Sequence, residues 1–238
     1  MSGHVLRVAV IALAIAELLA ATGFAASLNF ASQPLTPYRT CVLSGTPATT
    51  TVVIDASVRQ GAATSNFGTQ TTNDVASSSG ANRRLYVRFD LTQCSPAIAS
   101  SAVIRLATLR MYATALPAVC RTVDVFRVAA TWTEAGITWN NQPFGTAINN
   151  PASGSATDTY GAGTAAGCEN TATLSYIPGA VVTSDVAAYV AGSATNFGLM
   201  LRDDVEGSAT ARTQTYAAKN LGTASQAPQL VITYVAVP

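Results

Sequence analysis

The chain has 238 residues, a net charge of +1 and only 11% charged residues, against a usual value of about 25%. This length favours one β-rich domain or two small domains. The near-neutral charge argues against nucleic acid as a partner, because a polyanion is held mainly by long-range attraction.

The first residues have the pattern of an export signal. Arg7 supplies a positive charge, residues 8–19 form an apolar run, and small residues follow up to a cleavage site near Ala25 or Ala26. The apolar run is too short for a comfortable membrane span. We therefore predict a cleaved signal peptide over residues 1–26, a secreted or cell-surface protein, and no membrane span after cleavage.

The mature chain divides into a short leader and one domain. Residues 27–48 are rich in proline and predict a leader laid along the surface. Residues 49–238 alternate between short β-branched runs and clusters of Gly, Asn, Ser and Pro, which is typical of strands and turns. Only residues 184–192, SDVAAYVAG, predict a short helix, with Ser184 as its cap. Many strands without helical crossovers indicate an all-β fold, either a sandwich or a barrel of antiparallel sheets.

Four cysteines at wide spacing, with no CxxC pair, argue against zinc and for two disulfides in an oxidising compartment. Four cysteines allow three pairings. We predict Cys41–Cys94 and Cys120–Cys168, each of which ties a loop to a strand end. Free buried thiols are the alternative.

Two segments predict a polar sheet face. In residues 82–91, NRRLYVRFDL, and in residues 107–113, ATLRMYA, apolar and polar side chains alternate. If the two strands are neighbours, their polar side chains form one surface. Guanidinium groups on it pair with carboxylates, and rings stack on sugars. A solvated face, whose arginines pair with neighbouring acids, is the alternative. The candidate ligand-binding residues are Arg84, Tyr86, Arg88, Arg110 and Tyr112.

The segment WTEAGITWNNQP, residues 132–143, holds both tryptophans of the chain. Two interpretations are open. The rings fill the core at a corner between strands, with Asn140 bonding to the backbone, or they form a platform on which a sugar stacks. We favour the core, because Trp is usually largely buried.

The segment LRDDVEG, residues 201–207, gathers three acids at a predicted turn. Oxygen ligands close together suit calcium, and Asp55 at the end of the first predicted strand is a fourth candidate. An ordinary acidic turn is the alternative, because the full ligand spacing of a calcium loop is missing. The candidate ligands of a structural calcium are Asp55, Asp203, Asp204 and Glu206.

The sequence has few of the residues and motifs that are typical of catalytic sites. The one histidine, His4, lies in the predicted signal, which removes imidazole-based catalysis and histidine metal ligands from the mature chain. No G-x-S-x-G motif or phosphate loop occurs. The acids are few and scattered, so a glycosidase with paired carboxylates is the least favoured function. We predict that the protein is not an enzyme.

Six segments are informative when they are taken together and in order: DASVRQGAATSNFG, RRLYVRFDLT, SAVIRLATLRMY, WTEAGITWNNQP, NFGLMLR and PQLVITY. They cover about residues 50–236 and together resemble the DNRLRE domain family, although Ala56 and Ser57 depart from the pattern of the first motif. The resemblance implies a jelly-roll-like β-sandwich of secreted proteins, related to carbohydrate-binding modules, some of which bind uronate polymers such as alginate.

We therefore expect a jelly-roll-like antiparallel β-sandwich with at most one short helix. Its expected function is that of a secreted, non-catalytic carbohydrate-binding protein whose partner is a polysaccharide, specifically an anionic, uronate-containing one. The alternative is a self-assembling structural subunit of a cell surface, extracellular matrix or fibre. In that alternative, the leader adds a strand to the open sheet edge of a neighbour.

Overall fold

The structure is a computed structural model that describes residues 37–46, 52–149, 155–177 and 179–237. The predicted signal peptide and residues 27–36 and 47–48 of the predicted leader lie outside the described residues. The described part contains no helix that is long and apolar enough to cross a membrane.

The described residues form thirteen strands and one α-helix. All pairs between the strands are antiparallel. The helix α1 spans Thr183–Val190. The strands are β1 (Tyr38–Ser44), β2 (Val53–Arg59), β3 (Thr72–Ser77), β4 (Arg83–Phe89), β5 (Val103–Arg110), β6 (Tyr112–Ala115), β7 (Arg121–Arg127), β8 (Asp158–Ala162), β9 (Ser175–Tyr176), β10 (Ala180–Val181), β11 (Leu199–Asp203), β12 (Arg212–Ala217) and β13 (Gln229–Val235).

The strands form two sheets with a shared core. The four-stranded sheet has the order β1-β13-β5-β10, and the nine-stranded sheet has the order β8-β7-β11-β4-β3-β12-β6-β9, with β2 beside β4. Alternate residues of each strand point into the core: Leu109 and Ile232 from the smaller sheet meet Leu85 and Val125 from the larger one. The predicted all-β antiparallel sandwich with one short helix is confirmed.

Two local predictions need correction. The helix begins at Thr183, so Ser184 lies inside it rather than capping it. The part of the predicted leader that is described contains β1, which pairs along its whole length with β13 of the same chain.

A loop covers part of the outer face of the larger sheet. We call residues 131–149 the covering loop. Beneath it lies a second apolar cluster, separate from the core between the sheets. It forms because strands β4, β7 and β11 carry large apolar side chains on both of their faces, so both faces must be excluded from water. The cluster consists of Ala56, Val58, Tyr86, Phe126, Val128, Trp132, Ile137, Trp139, Phe144 and Met200.

The two tryptophans belong to this second cluster. Trp132 and Trp139 are only 5% and 3% exposed, and the indole of Trp132 donates a hydrogen bond of 2.7 Å to the carbonyl oxygen of Phe197. Their faces therefore do not form a platform for a sugar. The interpretation that they fill a core is confirmed.

Both predicted disulfides are present. Cys41–Cys94 ties β1 to the loop that follows β4, with a Cα–Cα distance of 5.6 Å. Cys120–Cys168 fixes the residue before β7 to the loop that follows β8, with a Cα–Cα distance of 5.3 Å. The described residues contain no free cysteine.

Candidate functional site

The five residues predicted to bind a ligand do not form one surface. Arg84, Tyr86 and Arg88 lie on β4 of the larger sheet, whereas Arg110 lies on β5 of the smaller one. The alternation within each strand is as expected, but β4 and β5 are not neighbours. The combined polar face predicted from the sequence is therefore wrong.

Arg84 is fully buried beneath the covering loop. Its guanidinium donates to both carboxylate oxygens of Glu206, at 2.7 and 2.8 Å, and to the carbonyl oxygens of Gly145 and Ala147. It also donates to the side chain of Gln142 and stacks on the ring of Trp139 at 4.6 Å. With every N–H engaged, Arg84 holds the loop in place and has no donor left for a ligand.

Tyr86 is also buried under the covering loop. Its hydroxyl donates to Gln142 at 3.0 Å, and its ring makes an edge contact with Trp132 at 5.6 Å. Burial raises the pKa of Tyr86 well above its ordinary value, although the charge of Arg84 acts in the opposite direction. Arg84 and Tyr86 are thus corrected from ligand candidates to supports of the loop.

The acids predicted to bind calcium are separated and engaged with cations. Asp203 and Asp204 both pair with Arg121, and Glu206 pairs with Arg84. Asp55 lies in a different cluster, described below. No group of three or more potential ligands suited to a metal occurs in the part of the chain that the structure describes. The predicted calcium site is therefore not assembled by these four residues.

Asp55 belongs to a buried cluster that joins three distant segments. One oxygen of its carboxyl accepts a hydrogen bond of 3.0 Å from the backbone N–H of Lys219. The ammonium of Lys219 lies 2.7 Å from Glu134 of the covering loop, which also accepts from the backbone N–H of Asp55. Burial raises the pKa of Asp55 to about 7. The cluster ties β2 to the covering loop and to the turn after β12.

Two similar turns, SNFG at residues 65–68 and TNFG at residues 195–198, have the same local geometry. Asn66 and Asn196 each accept a hydrogen bond of 3.1 Å from the backbone N–H two residues later. Each asparagine also donates to a distant backbone, Asn66 to the covering loop and Asn196 to β4. The first turn therefore holds the covering loop, and the second is held against the end of β4.

Arg88 is the part of the predicted face that stays open. It lies on the outer face of β4 beyond the covering loop, in a depression of about 390 Å³. Its guanidinium makes no hydrogen bond or ion pair with another described residue, and Asp90 is the acid close enough to interact with it. The depression is lined by Ile54, Arg88, Phe89, Asp90, Leu91, Thr92, Tyr189 and Asn196.

The carboxylate of Asp90, the acid near Arg88, already accepts hydrogen bonds from neighbouring residues. Its carboxylate accepts hydrogen bonds from the backbone and the hydroxyl of Thr92 and from the amide of Gln93. Partial burial raises its pKa, but these bonds and the charge of Arg88 outweigh that effect, so the pKa lies below its ordinary value. Asp90 is therefore ionised at neutral pH and does not need Arg88 as a hydrogen-bond donor.

Gly198 brings β11 against the stem of Arg88. A Cβ at this position would lie 2.7 Å from Cβ of Arg88 and 2.3 Å from the carbonyl oxygen of Val87. Its φ of +87° also lies in the region that favours glycine. Only glycine permits the backbone at residue 198 to lie this close to Val87 and to Cβ of Arg88. The contact involves the backbone and Cβ of Arg88 and not its guanidinium.

Arg110 and Tyr112 lie together at a second place. Arg110 stacks on the ring of Tyr176 at 4.6 Å and donates to Gln229, and Tyr112 meets Tyr176 edge to face at 5.3 Å. The hydroxyls of both tyrosines donate to backbone carbonyls. This cluster is half-buried, and its polar groups are mostly paired within the protein.

Residues 46–162 match Carbohydrate-binding module family 96. The matched segment runs from the start of the larger sheet to its edge strand β8. It contains Arg88, Arg110 and Tyr112, but Tyr189 and Asn196 lie beyond it. No curated protein matches the chain.

The described domain is thus similar to a carbohydrate-binding module, and this likeness supports a carbohydrate-binding role with a polysaccharide as partner. Its sandwich fold and two disulfides are compatible with an extracellular location. In this module-like domain, Arg84 and Tyr86 of the motif RRLYVRFDLT are buried supports of the covering loop. Arg88 of the same motif is the side chain that lines the open depression.

Arg88 is the one lining residue of the depression among the five candidates predicted from the sequence, and the lining residues farthest from it along the chain are Tyr189 and Asn196. Tyr189 was placed on the predicted helix, but no pattern showed that the helix lies next to the end of β4. The repeated N-F-G turn was a usable signal for Asn196, because an asparagine followed by glycine two residues later predicts a docking turn.

Proposed function

We propose that the protein is a secreted, non-catalytic carbohydrate-binding protein whose ligand is an anionic, uronate-containing polysaccharide. The ligand binds in the depression beside the end of β4. The single observation that carries this proposal is the guanidinium of Arg88, which has no hydrogen bond to another described residue in an open depression. The resemblance to the DNRLRE domain points in the same direction.

The chemistry of the depression suits a uronate. A guanidinium donates two parallel hydrogen bonds to a carboxylate, which a neutral sugar cannot accept in the same way. The aromatic ring of Tyr189 and the side chains of Ile54 and Leu91 supply apolar surface for the C–H face of a sugar ring. The volume of about 390 Å³ suits one or two sugar units of a longer chain.

The role is binding rather than catalysis. Glycoside hydrolysis needs two carboxyl groups that flank the scissile bond. The depression holds one, Asp90, which is ionised and hydrogen-bonded to Thr92 and Gln93. We therefore expect neither reducing nor unsaturated ends to be released from any polymer that the protein binds.

Affinity electrophoresis in gels that contain alginate, pectate or a neutral glucan tests the proposal. We expect the mature protein to be retarded by the uronate polymers and not by the glucan. Arg88→Gln removes the charge and should weaken binding at least about tenfold, because it deletes one charge-assisted contact.

Arg105→Gln is the matched control. Arg105 is exposed on β5 of the other sheet, so the same change in net charge should leave binding unchanged. Equal losses in the two variants would indicate a non-specific charge effect. Retention of full affinity by a folded Arg88→Gln variant would refute the proposed site, and no binding to any uronate polymer would refute the proposed function.

A further inference from the structure

The segment that follows β8 folds back along the outer edge of that strand. We call residues 163–170 the clasp. Among the described residues β8 is an edge strand of the larger sheet, so the backbone groups on its outer side pair with no further strand of the sheet. Unpaired backbone groups at a sheet edge invite pairing with another chain, and proteins usually cover them. The clasp covers such groups of Gly161 and Gly163.

Two residues of the clasp bond to the backbone of this edge. The carboxylate of Glu169 accepts a hydrogen bond of 2.7 Å from the backbone N–H of Gly161. The side-chain amide of Asn170 donates to the carbonyl oxygen of Gly161 at 2.5 Å, and the carbonyl oxygen of Asn170 accepts from the backbone N–H of Gly163 at 3.0 Å. The clasp therefore takes the place of a neighbouring strand at this part of the edge.

The disulfide Cys120–Cys168 is the covalent attachment of the clasp. The sequence of the clasp, GTAAGCEN, has no large apolar side chain, so the burial of apolar surface does little to hold it in place. The disulfide joins the clasp to the residue before β7, 48 residues away in sequence. A cross-link that closes a long loop removes many open conformations of the chain. Without it, the clasp is held mainly by hydrogen bonds at the surface.

The two disulfides of the chain differ in their access to solvent. Cys120 is exposed and Cys168 is partly exposed. Cys41 and Cys94 are only 6% and 5% exposed and belong to the core between the sheets. A thiolate must reach a sulfur atom in order to attack it, so the rate of reduction depends on access. A small dithiol should therefore reduce Cys120–Cys168 first.

We propose that the Cys120–Cys168 disulfide is a thiol-sensitive latch that keeps the clasp closed over the edge of β8. A dithiol supplies two electrons and two protons: the S–S bond breaks, two cysteine thiols form, and the dithiol becomes a cyclic disulfide. The clasp then opens and the backbone of Gly161 and Gly163 becomes accessible. The rest of the sandwich stays folded, because Cys41–Cys94 remains intact. The latch does not depend on the glycan proposal.

Hydrogen exchange followed by NMR, before and after mild reduction of the mature chain, tests the latch. The protein is treated with increasing dithiothreitol, free thiols are alkylated, and peptide mass mapping identifies the cysteines that have reacted. We expect Cys120 and Cys168 to be alkylated before the other two cysteines. The amides of Gly161 and Gly163 should then exchange at least about tenfold faster, whereas the amides of β4 should not change.

The double variant Cys120→Ser/Cys168→Ser removes the latch without a reductant and should show the same faster exchange at Gly161 and Gly163. Glu169→Gln is the matched control. It changes one side chain of the clasp and leaves the disulfide intact, so the amide of Gly163 should exchange at the wild-type rate.

Two results would overturn the proposal. In the first, both disulfides are reduced together at every concentration of dithiothreitol. In the second, Cys120–Cys168 is reduced selectively but the amides of Gly161 and Gly163 keep their protection. Both are measured on the wild-type chain, so the test holds even if the double serine variant does not fold.

Discussion

Arg84 and Glu206 form an ion pair whose two side chains are fully excluded from solvent. We expect Arg84→Met to lower the free energy of unfolding by about 3 kcal/mol, because the buried carboxylate of Glu206 loses the cation that bonds to both of its oxygens and keeps only Arg202, at 3.7 Å. The double variant Arg84→Met/Glu206→Leu should recover part of that loss. Chemical denaturation with urea measures both values.

Arg83 is the matched control for this prediction. It pairs with Asp74 at 2.8 Å, but its side chain is 36% exposed and Arg59 also contacts Asp74. Arg83→Met should therefore cost no more than about 1 kcal/mol. Equal losses for Arg83→Met and Arg84→Met would contradict the role that we assign to the buried pair.

Asp55 should make stability depend on pH in a specific direction. Its carboxyl has a pKa of about 7 in the folded chain, against about 3.9 in an unfolded chain. Between these values the folded state binds more protons, so the contribution of Asp55 to stability falls as pH rises from about 4 to about 7. The expected change is on the order of a few kcal/mol.

The comparison with Asp55→Asn isolates this effect. The difference in unfolding free energy, wild type minus Asp55→Asn, should decrease over that pH range and then level off above it. Urea denaturation at several pH values measures the difference, from which the contributions of titrating groups far from Asp55 cancel. A constant difference, or one that increases with pH, would contradict the buried environment of Asp55.

The two tryptophans of the covering loop stabilise the fold and do not bind the ligand in our account. Trp132→Ala and Trp139→Ala should each destabilise the fold by about 3–5 kcal/mol, because each removes a large ring from the second cluster. The glycan affinity of the molecules that remain folded should not change. Tryptophan fluorescence, which should not respond to added uronate polymer, gives the second readout. Loss of affinity in a folded tryptophan variant would restore the sugar-platform interpretation.

The sequence predicted the individual strands better than it predicted which strands lie side by side in a sheet. The alternation in residues 82–91 correctly placed Leu85 and Val87 in the core, because the side chains of a strand alternate between its faces whatever lies beside it. Strand order depends on contacts between distant segments, so β4 and β5 could not be assigned to different sheets. One feature of the sequence indicates that something covers the outer face of β11. Leu199, Met200 and Leu201 form an unbroken apolar run, which is typical of a strand buried on both faces.

At the scale of the whole molecule, the outer faces of the two sheets differ. The covering loop lies over part of the outer face of the larger sheet, and Arg88 lies in the depression beyond the loop. The outer face of the smaller sheet carries exposed apolar side chains, such as that of Val42, together with polar ones, such as that of Arg105. The family resemblance indicated a carbohydrate-binding sandwich, but the motif residues Asp55, Asn66 and Glu134 are supports, and the depression adds Tyr189 from a helix far along the chain.

Calorimetric titration of two proteins with two ligands tests the central claim most directly. Wild type and Arg88→Gln are each titrated with a polyuronate and with the same polymer after reduction of its carboxyl groups. We predict that reducing the carboxyl groups weakens wild-type binding at least about tenfold and hardly affects the variant, because each change removes the same contact. If carboxyl reduction weakens binding by the same factor in wild type and in Arg88→Gln, or weakens it in neither, Arg88 does not bind the carboxylate.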